Sequence, residues 1–252
     1  MAVEVRGSGK LAGRVAVVTG ASRGLGRAAA LALAEAGAHV IAVARTVGAL
    51  EELDDAIKAN RGSATLVPLD LTDYPALDRL GASIYQRWGK LDILLGNAAV
   101  LGAITPVAHL EPKVFDAVMA VNVTANWRLI RSLDPLLRQS DAGRALFVTS
   151  DVAHRVPPFW GIQAASKAAL EALVRTYAAE LDQTTATANL FSPGPLRTNM
   201  RALAVPGEDP MTVKTPEEVA PAIARMLSPD YIDNGALFDF PSGRTDRLLT
   251  RR

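Results

Sequence analysis

Three glycines stand as Gly20-x-x-x-Gly24-x-Gly26 inside Val17-Val18-Thr19-Gly20-Ala21-Ser22-Arg23-Gly24-Leu25-Gly26-Arg27. An apolar run enters this turn and an alanine-rich run, 27–34, leaves it, the pattern of a buried strand feeding a helix. Such a turn can cradle a phosphate. Gly20 and Gly24 permit torsions and a close backbone approach that a bulky side chain would block. The helix beyond them offers unpaired N–H groups and the positive end of its dipole. Thr19, Ser22, Arg23 and Leu25 complete the candidate contacts, and Gly26 lets the helix pack closely on the sheet. The spacing is not the usual G-x-G-x-x-G, and a glycine-bearing turn with no ligand is the alternative.

A cradle of this kind needs a strand before it and a helix after it, and the chain supplies such pairs in alternation. Apolar runs at 15–19, 40–44, 64–69, 91–95, 145–149, 186–191 and 236–240 are separated by helical patterns over 26–36, 50–59, 76–88, 112–138, 162–181 and 217–227. Strands that are apolar throughout imply burial on both faces. The pattern predicts an α/β fold of three layers, a mostly parallel seven-stranded sheet flanked by helices. No repeat, low-complexity tract or linker divides the 252 residues, so 1–252 is expected to be one domain. Residues 1–10 read as a flexible polar arm. Segment 192–215, which carries prolines and glycines, is either a substrate lid or a plain surface loop.

Lys and Arg number 27 against 26 Asp and Glu, a net charge of +1 that gives no electrostatic case for nucleic acid or an anionic membrane. The absence of cysteine removes disulfides, a thiolate nucleophile and Cys-ligated metal, and suits a reducing cytoplasm; no metal is expected. The longest charge-free run, 93–108, is short for a membrane span and is interrupted by Gly96, Asn97, Gly102 and Pro106. The first ten residues carry Glu4, Arg6 and Lys10 and lack the apolar segment of a signal peptide. These features describe a soluble cytoplasmic protein whose partner is a small molecule.

The end of the second strand bears on which dinucleotide the cradle would hold. In dinucleotide folds an acidic residue about 20 positions past the glycines binds the ribose 2′-OH of NAD, and an arginine there accommodates the 2′-phosphate of NADP. Here the position reads Val43-Ala44-Arg45-Thr46, with no carboxylate. Arg45 and Arg23 can flank one phosphate, which predicts NADP(H) in preference to NAD(H); two solvated surface charges are the alternative. Asp70, followed by Leu71, can accept from an adenine amino group or cap the next helix, where Thr72 and Asp73 are also good caps. Asn97-Ala98-Ala99 follows the fourth strand at its C-terminal end, where open α/β sheets bind ligands.

Taken together, the chain resembles the short-chain dehydrogenase/reductase family. The resemblance is carried by Thr19-Gly20-x-x-x-Gly24-x-Gly26, Asp70, Asn97-Ala98-Ala99, Asn122 in Val121-Asn122-Val123, and Ser150 closing the fifth strand. Lys167 in Ser166-Lys167-Ala168-Ala169 and Pro193-Gly194 with Thr198 beyond complete it. It covers nearly the whole chain. It implies a single-domain Rossmann-type fold, a homodimer or homotetramer joined through the two long helices, and hydride transfer between NAD(P) and an alcohol or carbonyl. It also implies a tyrosine four residues before Lys167, where this sequence has Gln163. Ser150, 13 residues upstream, and Lys167 both keep their expected places around it.

The resemblance gives Ser150 the role of a hydrogen-bond donor to the reacting oxygen, Lys167 the nicotinamide ribose, and Asn122 a water site in a proton relay. Gln163 can donate an amide hydrogen bond to a carbonyl but cannot deliver a proton, and general acid catalysis is typically worth about 10²–10⁴-fold. His154, four residues after Ser150, belongs to the residue type that ordinarily titrates near neutrality, and is either a replacement acid or an ordinary surface histidine. Tyr177, ten residues past Lys167, lies too far along the helix to serve. His154, Phe159, Trp160 and segment 192–215 are the candidate substrate contacts, and their apolar and aromatic content points to an uncharged substrate. Two functions follow: an oxidoreductase with an altered acid, or an NADP-binding pseudoenzyme acting as sensor or scaffold.

Overall fold

The computed structural model describes residues 9–247. The expectation for residues 1–10 therefore falls mostly outside the described residues. The strands are β1 (Val15–Thr19), β2 (His39–Ala44), β3 (Ser63–Pro68), β4 (Ile93–Gly96), β5 (Arg144–Val148), β6 (Thr187–Ser192), β7 (Ala236–Asp239) and β8 (Arg244–Arg247). The helices are α1 (Gly24–Glu35), α2 (Val47–Ala59), α3 (Tyr74–Trp88), α4 (Pro112–Met119), α5 (Ala125–Leu137), α6 (Val152–Arg155), α7 (Gly161–Glu180), α8 (Asn199–Ala204) and α9 (Pro216–Met226). All eight strands form one sheet in the order β3-β2-β1-β4-β5-β6-β7-β8. Seven are parallel, and β8 alone runs antiparallel, against β7.

Side chains alternate across each strand, so successive residues feed the two faces of the sheet. Ala16 and Val18 join a core with Leu33 of α1, Leu53 of α2 and Ile223 of α9. Val15 and Val17 face the other way, into a core with Leu80 of α3, Leu133 of α5 and Val174 of α7. The three expected layers are thus present. Strands β1, β2, β4 and β5 are buried along their whole length, as apolar runs in a covered sheet should be. Strand β3 departs from this: it is an edge strand, half-buried in its middle and exposed at Ser63 and Pro68.

Two further differences have physical causes. The eighth strand, Arg-Thr-Asp-Arg, is exposed at every position and has no apolar signature, so the seven-strand expectation was one short. The helix expected over 112–138 is interrupted: α4 and α5 are separated by a π-helical turn over Ala120–Thr124. The irregular segment 192–215 contains α8 and a 3₁₀ turn at Pro210–Thr212, and is pinned at its base by pairing of Leu196 with Lys214.

Candidate functional site

The chain leaves β1 toward β2 and β3, then crosses back to place β4 on the other side of β1. That reversal opens a crevice at the C-terminal ends of β1 and β4, the usual place for a ligand in such sheets. The glycine turn ends β1 and Asn97 follows β4, and they are stitched together. Thr19 Oγ1 donates to Leu95 O (3.2 Å) and accepts from the N–H groups of Asn97 (3.0 Å) and Ala98 (3.1 Å). Asn97 Nδ2 donates to Thr19 O (2.9 Å). Gly20 and Gly24 are left-handed, at φ +67° and +54°. A Cβ on Gly26 would lie 2.2 Å from Gly20 O and 2.5 Å from Asn97 Nδ2, so only glycine fits there.

The test of a phosphate cradle is whether the helix behind it is already capped. Asp73, Thr198 and Thr215 cap α3, α8 and α9 with their side chains, whereas α1, like α2, α4, α5, α6 and α7, has no side-chain cap, and α1 is the one that follows the glycine turn. The first N–H groups of α1 are therefore left for an anion in the glycine turn, so these residues fit the phosphates of a dinucleotide. Arg23 is exposed at this turn. Arg45 is exposed at the end of β2, with Nη1 3.7 Å from Asp70 Oδ2. Asp70 accepts from Thr72 N (2.9 Å) and Thr72 Oγ1 (2.8 Å), and these bonds hold its carboxyl below the ordinary range. Asp73, not Asp70, is the cap of α3. Leu71 is buried beside it.

The segment after β4 is fastened from two helices. Asn122, fully buried in the π-helical turn, accepts from Val100 N (2.9 Å) and donates to Val100 O (3.2 Å) and Ser166 Oγ (3.1 Å). Asn126 Nδ2 donates to the Asn122 carbonyl at 2.9 Å from the first turn of α5. Gln163, near the start of α7, donates Nε2 to Val100 O (2.7 Å) and Leu101 O (2.5 Å). Both partners are carbonyls, so the amide nitrogen faces them. This corrects the expectation that the amide polarises a bound carbonyl: its two hydrogens secure the 100–101 backbone.

One turn along α7, Lys167 is buried and donates Nζ to Val148 O (2.8 Å), at the end of β5 and two residues before Ser150. Burial pushes its ammonium down to about 8, against the pull of Glu171, a further turn along. Glu171 is itself only 4 % exposed. Its Oε1 accepts from Thr149 Oγ1 at 2.5 Å, and its Oε2 lies 2.9 Å from His154 Nε2. Ser150 Oγ donates to Asp151 Oδ1 (3.2 Å), and Asp151 in turn accepts from Arg155 (2.9 Å).

With this geometry in view, comparison with known proteins is specific. The sequence profile described as short chain dehydrogenase matches residues 14–209. The chain belongs to the short chain dehydrogenase family. It is 37 % identical over 235 residues to the oxidoreductase YciK of Escherichia coli K12, spanning 92 % of this chain and 93 % of that one. A short chain dehydrogenase of Pseudomonas syringae superposes with a TM-score of 0.89 at 38 % identity, covering 95 % of this chain and 99 % of the other. Another, from E. coli CFT073 and solved as a complex with NADPH, gives a TM-score of 0.85 at 36 % identity over 91 % and 97 % of the two chains.

As a short chain dehydrogenase, the chain brings most of its candidate residues to one crevice. Thr19, Gly20, Gly26, Asn97 and Ala98 are tied at the ends of β1 and β4, and Asn122, Gln163 and Lys167 line the adjoining ends of β4 and β5. Ala99 is half-buried between the two groups. Pro193 and Gly194, the latter left-handed, follow β6, and Thr198 caps α8 with its Cγ2 3.4 Å from where a Cβ on Gly24 would lie. Phe159 is exposed and left-handed (φ 72°), and Trp160 is half-buried at the head of α7. Three participants were not singled out from the sequence: Thr149, Ser166 and Glu171. Glu171 lies one turn past Lys167 on α7, where a glutamate is ordinarily solvated, so its burial had no signal in the sequence. Among the described residues no group of His, Asp or Glu could hold a metal, and no helix is long and apolar enough to cross a membrane.

Proposed function

We propose that this short chain dehydrogenase is an NADP(H)-dependent oxidoreductase that interconverts a carbonyl and an alcohol on a small, uncharged molecule without the family's phenolic acid. The carrying observation is the buried Lys167, bonded to Val148 O two residues before Ser150, on the same sheet end as a glycine cradle whose helix has no side-chain cap. When bound, the dinucleotide supplies or takes hydride. The N–H groups of α1 hold its pyrophosphate, Arg23 and Arg45 meet its 2′-phosphate, and Lys167 holds the nicotinamide ribose. Leu25, Asp70, Leu71, Ala99, Pro193, Gly194 and Thr198 complete the cofactor wall. Ser150 donates to the reacting oxygen, where charge builds as hydride arrives.

Segment 192–215 closes over the substrate. Its Met200, Leu203 and Met211 are exposed, as are Ile104 and Val107 after β4 and Val156 and Phe159 after β5, an apolar rim suited to an uncharged molecule. The assembly is a cytoplasmic homodimer or homotetramer, with exposed Phe115 and Trp127 on the helices that would meet.

The cofactor assignment is tested by titrating NADPH and NADH into wild type and Arg45→Asp. Wild type prefers NADPH by about tenfold or more, and the variant loses that preference. Equal affinities in wild type would sink it. A second function has one observation in its favour: with the Gln163 amide bound to Val100 and Leu101, the residue acts as a brace, as it would in a pseudoenzyme that keeps NADP as sensor or scaffold.

A further inference from the structure

Reduction of a carbonyl consumes a proton, and Gln163 cannot give one. Tyr177 does not replace it: its hydroxyl is bonded to Asp134 at 2.9 Å, and burial and that carboxylate push its titration far up. We propose, building on the oxidoreductase assignment, that His154 and Glu171 carry protons from solvent to Lys167, whose ammonium protonates the reacting oxygen.

The observed contacts cover the outer part of this path. His154 stands on α6 with its side chain 56 % exposed, and its Nε2 touches Glu171 inside the protein. A buried carboxylate is costly unless compensated. Glu171 has two oxygens bonded, by Thr149 and His154, and a lysine one turn away on the same face of α7. Ionisable groups therefore lead from solvent through α6 and α7 toward the end of β5, with His154 and Glu171 in contact and Lys167 one helical turn further on, beyond ion-pair distance of Glu171. Burial leaves Lys167 readily able to give up a proton near neutral pH. The other charges around the chain are Asp151 and Arg155 on α6, paired at 2.9 Å, Arg201 of α8, which feels Asp151, and Arg175 one turn past Glu171.

The carbonyl carbon accepts hydride from a dihydronicotinamide, which is thereby oxidised, and the C=O electron pair moves onto oxygen. That oxygen takes a proton as one N–H bond of Lys167 breaks, leaving a neutral amine. His154 as imidazolium passes its Nε2 proton to Glu171, Glu171 passes it through an intervening water to the amine, and a proton from bulk solvent recharges the imidazole. Glu171 and His154 touch neither substrate nor cofactor; they position and reload the donor.

Two readouts test the relay. The first uses the cofactor-free protein, with the Lys167 titration followed by NMR of labelled lysine. Wild type titrates near 8, and Glu171→Gln binds the Lys167 proton about tenfold more weakly. The second uses NADPH and a carbonyl panel, with folding checked by thermal melt: His154→Ala loses about 10²-fold in turnover, keeps NADPH affinity, and is rescued by added imidazole. An identical Lys167 midpoint in wild type and Glu171→Gln overturns the relay, as does His154→Ala turnover equal to wild type. A wild type that binds NADPH and reduces nothing overturns the oxidoreductase assignment and the relay together.

Discussion

Lys167 carries its charge into a place where water cannot compensate it. Relative to an ordinary 10.5, its proton is held near 8 in the folded chain, so the folded state binds fewer protons than the unfolded one between those values. Stability supplied by this group therefore rises with pH across that window, and is at its poorest below 8. Replacing Lys167 by Met removes that slope. The unfolding free energy of wild type relative to Lys167→Met should climb by up to about 3 kcal/mol between pH 8 and 10.5, measured by urea denaturation. Parallel curves for the two proteins would show that the lysine is not held as described. The residue type and its register were legible in the sequence; the buried Glu171 that tunes it was not, because a glutamate on a long helix is ordinarily solvated.

Among the elements, the turn from β1 into α1 is the most tightly specified. Gly26 admits no side chain, since a Cβ would overlap the carbonyl of Gly20 and the amide of Asn97, neither of which can move without breaking the tie to Thr19. Gly26→Ala should cost about 3 kcal/mol or more in stability and lower NADPH affinity at least tenfold. Thermal melts with and without NADPH read both, and a variant with wild-type values would contradict this account of the turn. The glycine pattern announced this turn, because strand, turn and helix are local in sequence. The π-helical turn at Ala120–Thr124 was illegible for the opposite reason. Nothing in Ala-Val-Asn-Val-Thr distinguishes it from α-helix, and what shows it is Asn122 meeting Val100 and Ser166 from elsewhere in the chain. Strand β8 stayed hidden too, its four residues polar and held by pairing to β7 and by the ion pair of Arg247 with Asp233 (3.1 Å).

Across the whole molecule the sheet order decides where function is placed. Apolar runs predicted the layers, and the reversal between β1 and β4 sets the crevice that their loops share. The opposite end of the same strands is locked by Asp92, buried between β1 and β4. It accepts from Val15 N (2.9 Å), Ser140 Oγ (2.6 Å), Lys90 Nζ (2.9 Å) and Arg14 Nη1 (3.1 Å). A scaffold fixed at one end leaves the other free to carry chemistry on its loops. Hydride transfer by this scaffold, with Gln163 four residues before Lys167, is the proposal on which the rest depends. It is tested most directly by NADPH oxidation over a carbonyl panel, wild type beside Gln163→Tyr. Slow, measurable turnover is expected in wild type and a rate about 10²–10⁴-fold higher in the variant. NADPH binding without any turnover in wild type, alongside turnover in Gln163→Tyr, would contradict it.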